Sequence, residues 1–253
     1  MSRGRAATGI PGLDKMLGGG FFHGDAVLVA GSPGTGKTTL GLHFTAEGVK
    51  AGENTVYVTF EYLPQQIYRD AEAKGWDMKG WEEQGKVRLL CTTPDMVLAE
   101  SGAELGILEE AIKEIGAKRL VIDSMTHFEF LGLERHDMRT QLSGLMNRLR
   151  LSGVTTLLTH EIAEIVGPAV RVSDWGLEFL VDTVILLRYV ELEGELVKAC
   201  NILKFRGGDH DRRYRRVVLG PKGMSIEADF AGIEDISRGS ARRTVQERAR
   251  GLI

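Results

Sequence analysis

The sequence predicts an α/β fold with a mostly parallel central sheet and helices on both of its faces. Short apolar runs rich in β-branched residues alternate with segments whose apolar residues recur at helical spacing. Such alternation is typical of βαβ units, in which a helix connects two parallel strands. After Asp182 the pattern changes to strands joined by short turns, which indicates antiparallel strands added at the C-terminal end of the sheet.

The predicted elements follow in order along the chain. The first five strands are expected at residues 25–30, 54–60, 87–91, 119–123 and 154–159. Helices are expected from about residue 39 onward, and at 65–73, 105–115 and 142–149. Gly116 and Gly153 stand where the last two helices should end. The later strands are expected at 183–190, 196–204, 214–219 and 224–226.

Length and composition are those of an ordinary globular protein. The chain has 253 residues, of which 43% are hydrophobic and 26% charged. Neither a linker nor a repeat interrupts it, so we expect one domain over residues 1–236. A basic tail or short terminal helix is expected at 237–253. The net charge of −3 gives no electrostatic reason to expect nucleic acid as a partner.

The sequence also bears on the compartment. It has no apolar run of membrane-spanning length, and its N-terminal residues lack the apolar core of a signal peptide. Its two cysteines, Cys91 and Cys200, fall in strand-like segments without metal-ligand spacing, which favours buried, reduced thiols. We therefore expect a cytoplasmic protein with no membrane partner.

Residues 31–38 fit the phosphate-loop pattern of Gly, four residues, Gly-Lys and Ser or Thr without a mismatch. A strand precedes this loop and a helix follows it, so backbone N–H groups and the helix N-terminus can surround a phosphate. Lys37 would supply a cation to the β- and γ-phosphates. The motif therefore predicts binding of a nucleoside triphosphate. The residues expected at the nucleotide are Gly31, Ser32, Pro33, Gly34, Thr35, Gly36, Lys37, Thr38 and Thr39.

Two positions beside this loop predict a magnesium site. The hydroxyl of Thr38 is placed to ligate the ion. Asp123 ends an apolar strand, where phosphate-loop proteins hold magnesium through water. The competing interpretation of Asp123 is a cap for the next turn.

Glu61 is the candidate for positioning and deprotonating the attacking water. It follows the second strand, at the sheet edge where ligands bind in open α/β sheets. The alternative is a glutamate favoured by the dipole of the next helix. Position alone does not separate these two roles.

Lys204 and Arg206 form a second unusual segment. Residues at i and i+2 on a strand point the same way, and Gly207-Gly208 breaks the strand just beyond them. Basic pairs at strand ends are usually only solvated. Phosphoryl transfer, however, needs cations on the γ-phosphate, which another subunit often supplies. The pair is therefore a candidate for that catalytic role.

Several segments together carry a family resemblance. Beside the phosphate loop they are residues 8–14 (TGIPGLD), 18–20 (GGG), 58–61 (VTFE), 121–124 (VIDS) and 203–207 (LKFRG), with His210. In this order they resemble the KaiC branch of the RecA-like ATPases, from about Ala7 to Ile226. The segment at 236–245 looks like the one that follows the second KaiC domain. KaiC carries two such domains, and this chain has one.

The resemblance implies a RecA-like core, ATP and Mg²⁺ as cofactors, and a ring, commonly a hexamer, with ATP between subunits. The phosphate loop, Asp123 and Glu61 would act within one subunit. Lys204 and Arg206 would reach the γ-phosphate of the neighbour's ATP. The residues expected near that nucleotide are Phe205, Gly208 and His210. Slow hydrolysis would change the ring and signal to a protein partner not yet identified.

This chain departs from the KaiC pattern at two places. KaiC-like proteins often have two consecutive glutamates after the second strand, whereas Tyr62 follows Glu61 here. The Ser-Thr pair that the clock protein phosphorylates falls at Glu178-Phe179, which cannot accept phosphate. Clock-style autophosphorylation at that pair is therefore excluded. Ser173 and Thr183 lie nearby as weak candidates to replace it.

Two other functions remain as alternatives. A DNA-dependent recombinase-like ATPase shares the same core, and its support is the basic cluster at 212–216 together with the arginine-rich tail. Solvated basic strands explain that cluster more simply in an acidic chain. A serine/threonine autokinase would use the same phosphoryl-transfer groups with a different acceptor. The sequence identifies no acceptor residue.

Overall fold

The structure is a computed structural model that describes residues 4–99, 106–163, 172–230, 233–234 and 240–243. Its strands are β1 (Arg5–Ala6), β2 (Phe21–Phe22), β3 (Ala26–Gly31), β4 (Thr55–Thr59), β5 (Val87–Cys91), β6 (Arg119–Asp123), β7 (Thr155–Glu161), β8 (Thr183–Leu192), β9 (Glu195–Phe205), β10 (Arg215–Gly220), β11 (Gly223–Asp229), β12 (Ile233–Glu234) and β13 (Ser240–Arg243). Its helices are α1 (Pro11–Met16), α2 (Lys37–Ala51), α3 (Pro64–Glu72), α4 (Met78–Glu83), α5 (Pro94–Leu98), α6 (Ile107–Ile115), α7 (Arg135–Ser152) and α8 (Leu177–Leu180), with a 3₁₀ helix at Met125–Leu131.

The main sheet has the strand order β5-β4-β6-β7-β3-β8-β9-β10-β11. The first five pairings in this order, from β5 through β4, β6, β7 and β3 to β8, are parallel. The last three pairings, from β8 to β11, are antiparallel. The predicted fold class is thus confirmed, including the antiparallel extension at the C-terminal end. Strand β13 adds a short parallel pairing to β8, and β12 pairs with β13.

The core lies on both faces of the sheet. Strands β3, β4 and β6 are buried along their whole length, as expected for parallel strands covered on two sides. On one face they pack with α2 and α3 through side chains such as Leu40, Phe44 and Ile67. On the other face they pack with α6 and α7 through Ile112 and Leu145. Because these strands are parallel, their carboxyl ends lie at one edge of the sheet.

The structure adds short elements that the hydrophobic pattern did not predict. These are β1, β2, α1, α4, α5, α8, β12 and the 3₁₀ helix, each too short to show a period. Within residues 237–253, where a basic tail or short terminal helix is predicted, Ser240–Arg243 forms a strand. The other residues of 237–253 lie outside those that the structure describes.

The expected burial of both cysteines is wrong for one of them. Cys200 is buried in the interior strand β9, where burial raises the pKa of its thiol to about 12. Cys91 is exposed because it ends β5, the edge strand of the sheet. Sequence periodicity indicates a strand but not its place in the sheet.

None of the helices in the described part of the chain has the length and apolar character that a membrane span requires.

Candidate nucleotide site

The phosphate loop connects the end of β3 to the start of α2. Gly34 and Gly36 have φ angles of 75° and 107°, in the left-handed region that glycine adopts without strain. A Cβ on Gly36 would lie 2.6 Å from Cε of Met224, and one on Gly31 would overlap the carbonyl oxygen of Leu187. The predicted loop is therefore shaped by glycines that no larger residue can replace without displacing its neighbours.

The hairpin of β10 and β11 covers this loop and the first turns of α2. Leu219 and Met224 both contact the position of a Cβ on Gly36. The imidazole Nε2 of His43, in α2, accepts a hydrogen bond of 2.7 Å from the backbone N–H of Met224. Burial lowers the pKa of His43 to about 4, so its ring stays neutral and can accept. Residues from opposite ends of the sequence therefore meet at the loop.

Lys37 places its ammonium inside the phosphate loop. Its Nζ donates hydrogen bonds of 2.8 Å to the carbonyl of Gly31 and 3.1 Å to that of Ser32. Burial lowers the pKa of Lys37, while the carboxylates of Glu161 and Asp123 act in the opposite direction. The ammonium is thus held by carbonyl partners that phosphate oxygens can replace.

Asp123 stands at the carboxyl end of β6 and is buried. Its Oδ2 accepts a hydrogen bond of 2.9 Å from the hydroxyl of Tyr57, and its Oδ1 accepts one of 2.5 Å from the hydroxyl of Thr159. The peptide bond between Asp123 and Ser124 is cis. A buried carboxylate held in this way can still accept from a magnesium-bound water, because each of its oxygens has a second lone pair.

The donor set fits magnesium. Thr38 and Asp123 offer oxygen atoms, the ligands that Mg²⁺ prefers. Within the described residues, no group of three or more His, Cys, Asp or Glu side chains could hold a metal ion on its own. Magnesium usually keeps several waters and binds through one or two protein oxygens together with substrate phosphates, so two protein donors suffice.

Glu61 lies just beyond β4, at the same edge of the sheet. The last residue of β4, Thr59, pairs in register with Asp123, and the hydroxyl of Thr59 accepts from the backbone N–H groups of Glu61 (3.4 Å) and Tyr62 (3.2 Å). Burial raises the pKa of the Tyr62 hydroxyl, with further contributions from Glu61 and Asp123. The structure therefore brings Glu61 to the strand end beside Asp123.

Two residues at this edge, Glu161 and His160, are not among the site residues predicted from the sequence. Glu161 ends β7 and pairs in register with Gly31. The charge of Glu161 raises the pKa of Lys37, and it does so more than the charge of Asp123. His160, which is buried, packs edge-on against Trp175 with ring centroids 5.9 Å apart. Burial and then the charge of Lys37 lower the pKa of His160 to about 4. His160 and Glu161 are polar residues at the end of an apolar strand, and this position in the sequence could have identified them, as it identified Asp123.

Lys204 and Arg206 lie at the other edge of the sheet. Lys204 pairs with Val184, near the amino end of β8, whereas Gly31 pairs with Leu187. The Nζ of Lys204 donates to the carbonyls of Glu178 (2.8 Å) and Val181 (2.6 Å). Burial and then Arg206 lower the pKa of Lys204.

Arg206 is exposed and stays close to Asp182. Its backbone N–H donates to the Asp182 carbonyl at 3.0 Å, and its guanidinium lies 3.9 Å from the Asp182 carboxylate. The structure therefore does not bring the basic pair to the phosphate loop of the same chain.

Phe205, Gly208 and His210 pack together beside this pair. Phe205 is buried and stacks on Phe22, with ring centroids 5.4 Å apart, and the ring of His210 stands edge-on to Phe205. A Cβ on Gly208 would lie 2.6 Å from the ring of Phe205. In the described part of the chain, the buried Nδ1 of His210 has no hydrogen-bond partner.

The basic cluster at 212–216 has an acidic neighbour, Asp211. In the basic cluster, Asp211 binds Arg213 and Arg215; burial raises the pKa of Asp211, but these two arginines outweigh it and lower the pKa to about 2. Asp211 thus neutralises part of the basic cluster.

At the pair 178–179, the carboxylate of Glu178 accepts a hydrogen bond from the hydroxyl of Ser173 at 2.7 Å.

Comparisons with known proteins identify relatives of this chain. The family described as "ATPase: KaiC" matches residues 6–230. The circadian clock oscillator protein KaiC of Prochlorococcus marinus (strain MIT 9313) is 32% identical over 97% of this chain and 48% of its own length. KaiC of Synechococcus elongatus (strain ATCC 33912 / PCC 7942 / FACHB-805) is 31% identical over 97% of this chain and 47% of its own length. The chain spans about half the length of these curated relatives.

A solved structure shows the same fold. The KaiC-like protein PH0186 of Pyrococcus horikoshii OT3 superposes with a TM-score of 0.79 and 33% sequence identity, over 90% of this chain and 100% of that one. The match of a family over most of the chain, together with the phosphate loop and the strand order, identifies the family. This chain belongs to the KaiC family of ATPases.

Proposed function

We propose that this protein is a magnesium-dependent ATPase that works as a homo-oligomeric ring, with each ATP held between two subunits. Membership of the KaiC family implies ATP binding and hydrolysis. The observation that supports a shared site is the separation of the two sets of cations. Lys37 lies at the carboxyl edge of the parallel strands, and Lys204 and Arg206 lie at the amino edge. A hexamer is the assembly we expect.

One subunit would bind the triphosphate and position the water. The backbone of the phosphate loop and the ammonium of Lys37 would hold the β- and γ-phosphates. Thr38 and, through water, Asp123 would hold magnesium, which supplies positive charge to the phosphate oxygens when it is bound. Glu61 would orient the attacking water and accept its proton. It is placed for this because it comes just after β4, and β4 is the neighbour of β6, the strand that ends in Asp123.

The neighbouring subunit would complete the site. Charge develops on the γ-phosphate oxygens during transfer, and a cation delivered there stabilises the transition state. Lys204 and Arg206 would supply it by exchanging the Glu178, Val181 and Asp182 partners of their own chain for phosphate oxygens. Hydrolysis would then change the contact between subunits, which gives the ring a means to signal to a protein partner.

A complementation experiment tests the shared site. Lys37→Ala removes the phosphate-binding cation, and Arg206→Ala removes the cation supplied to the neighbour. Each variant alone should hydrolyse ATP slowly, but mixed rings contain interfaces in which both residues are wild type. Mixing should therefore restore part of the turnover. Arg216→Ala, at an exposed arginine of β10, is the control and should keep wild-type turnover. A mixture no more active than its components would contradict the proposal.

The same preparations separate the alternatives. A recombinase-like ATPase would be stimulated by DNA, with a stimulation that falls steeply as salt rises. The ion pairs of Asp211 with Arg213 and Arg215 reduce the charge available for such binding. An autokinase would incorporate labelled phosphate into the protein. We expect neither DNA stimulation nor incorporation at 178–179, where the side chains cannot accept phosphate.

A further inference from the structure

Two buried hydroxyl groups bind the two oxygens of one carboxylate. The hydroxyl of Tyr57 donates to Oδ2 of Asp123 at 2.9 Å, and that of Thr159 donates to Oδ1. Tyr57 and Thr159 are each 0% exposed, so water does not replace either donor. The three residues come from the adjacent strands β4, β6 and β7. The carboxylate is therefore held from both sides by the sheet itself.

Tyr57 reaches Asp123 along the sheet surface beneath α2. In the β4–β6 pairing it lies opposite Val121, two residues before Asp123, so its ring and the carboxylate share one face. A Cβ on Gly41 would lie 3.5 Å from the Tyr57 hydroxyl. Gly41 is three residues after Thr38 in α2 and thus on the same side of that helix. The hydroxyl is consequently enclosed between the sheet and the helix that carries Thr38.

We propose that Tyr57 is a positioning residue of the magnesium site, acting together with Thr159. A carboxylate rotates about its terminal bond unless its oxygens are engaged, and two donors on opposite oxygens fix its plane. Each oxygen keeps a lone pair for a magnesium-bound water. Tyr57 therefore sets the direction in which Asp123 faces the ion shared with Thr38. This role rests on the proposed magnesium site.

The alternative is that Tyr57 only fills space. Its ring belongs to the buried core on the α2 face of the sheet. Tyr57→Phe distinguishes the two roles, because phenylalanine fills the same volume but removes the donor to Oδ2. Thr159→Val likewise keeps the shape and removes the donor to Oδ1, whereas Thr159→Ser keeps the hydroxyl.

The test measures metal binding rather than activity alone. Mn²⁺ is the probe, titrated into the protein with ATP and followed by electron paramagnetic resonance, and binding of a fluorescent ATP analogue is measured in EDTA. We expect Tyr57→Phe and Thr159→Val to weaken Mn²⁺ binding by about 10- to 100-fold, the usual effect of losing a partner of a metal ligand. Binding of nucleotide without metal should stay unchanged. Thr159→Ser should restore Mn²⁺ affinity.

Matched variants make the result decisive. Tyr68→Phe removes another hydroxyl that donates to a carboxylate, that of Glu82 in α4, and should leave Mn²⁺ affinity unchanged. If Asp123→Asn loses the ion but folded Tyr57→Phe keeps wild-type Mn²⁺ affinity, the positioning role of Tyr57 is overturned. If Asp123→Asn also kept wild-type affinity, the magnesium site itself would be wrong. A thermal melt of each variant confirms that it is folded.

Discussion

Lys37 and Lys204 lie at opposite edges of the same sheet. The Nζ of Lys37 binds the carbonyl of Gly31 at the carboxyl end of β3, and the Nζ of Lys204 binds the carbonyl of Val181 just before β8 begins. Strands β3 and β8 are parallel neighbours, so these carbonyls mark the two ends of one pair of strands. A single chain therefore presents its phosphate loop on one side and its second cation on the other.

Replacing the second cation should remove turnover and spare binding. We expect Arg206→Ala and Lys204→Ala each to lower ATP turnover by about 100-fold or more, because a cation supplied to the γ-phosphate is worth about 10³–10⁵ in rate. Affinity for ATP should change little, since the phosphate loop is intact. Steady-state hydrolysis and nucleotide titration measure the two effects. Wild-type turnover in either variant would rule out this role.

Glu61→Gln should slow hydrolysis without weakening ATP binding. The amide keeps the shape of the side chain but cannot accept a proton from water, and general-base catalysis contributes about 10²–10⁴ in rate. Single-turnover hydrolysis of bound ATP is the measurement. Glu83→Gln, at an exposed glutamate of α4, serves as the control. A Glu61→Gln variant as fast as this control would leave the role to another group, with Glu161 as the next candidate.

Gly36→Ala should abolish nucleotide binding. The methyl group would collide with Met224 and Leu219, and the φ of 107° would strain any residue with a Cβ. Gly52→Ala is a matched control, because Gly52 also has a positive φ, 75°, but nothing lies within 4 Å of its Cβ position. We expect Gly52→Ala to cost about 1–2 kcal/mol of stability and to bind ATP normally. Equal ATP affinities in the two variants would be inconsistent with the close contact at Gly36.

Stability should fall as pH drops below about 6.5, in part because of His43. Its pKa is lowered from 6.5 to about 4 in the folded protein, so between these values the unfolded chain binds a proton that the folded chain does not. The loss begins near pH 6.5 and levels off near pH 4. His43→Gln should remove part of this dependence, on the order of 1–3 kcal/mol. Urea unfolding at pH 7 and pH 4.5 measures it, with exposed His136→Gln as the control.

Arg119 should be essential for stability. Its side chain is 1% exposed, and its guanidinium binds the carboxylate of Glu53 at 2.7 Å and the carbonyls of Ala7 and Phe44 at 2.8 and 2.9 Å. Arg119→Ala removes the donor shared by the half-buried Glu53 carboxylate and the two carbonyls, and it empties a buried site, at a cost of about 3–5 kcal/mol. Arg88→Ala breaks an exposed pair with Glu114 and should cost about 1 kcal/mol or less. Chemical denaturation compares them, and similar costs for both would contradict this account.

Features that depend on neighbouring residues could be predicted from the sequence, whereas features that depend on long-range contacts could not. The phosphate loop, the parallel strands and the place of Asp123 at a strand end all follow from neighbouring residues. The partner of Asp123 does not, because Tyr57 lies 66 positions away and reaches it only through the β4–β6 register. The same limit explains Cys91, whose exposure depends on β5 being the edge strand. Glu161 was missed although the rule that found Asp123 applies to it.

The contact between His43 and Met224 spans 181 positions of the chain. During synthesis, the phosphate loop therefore emerges from the ribosome long before the hairpin that covers it. Until residue 224 has been made, Gly36 lacks the side chains of Leu219 and Met224, and the N–H partner of His43 does not yet exist. A nascent chain can form the first parallel strands early. Its nucleotide site reaches the final form only when almost the whole domain is available.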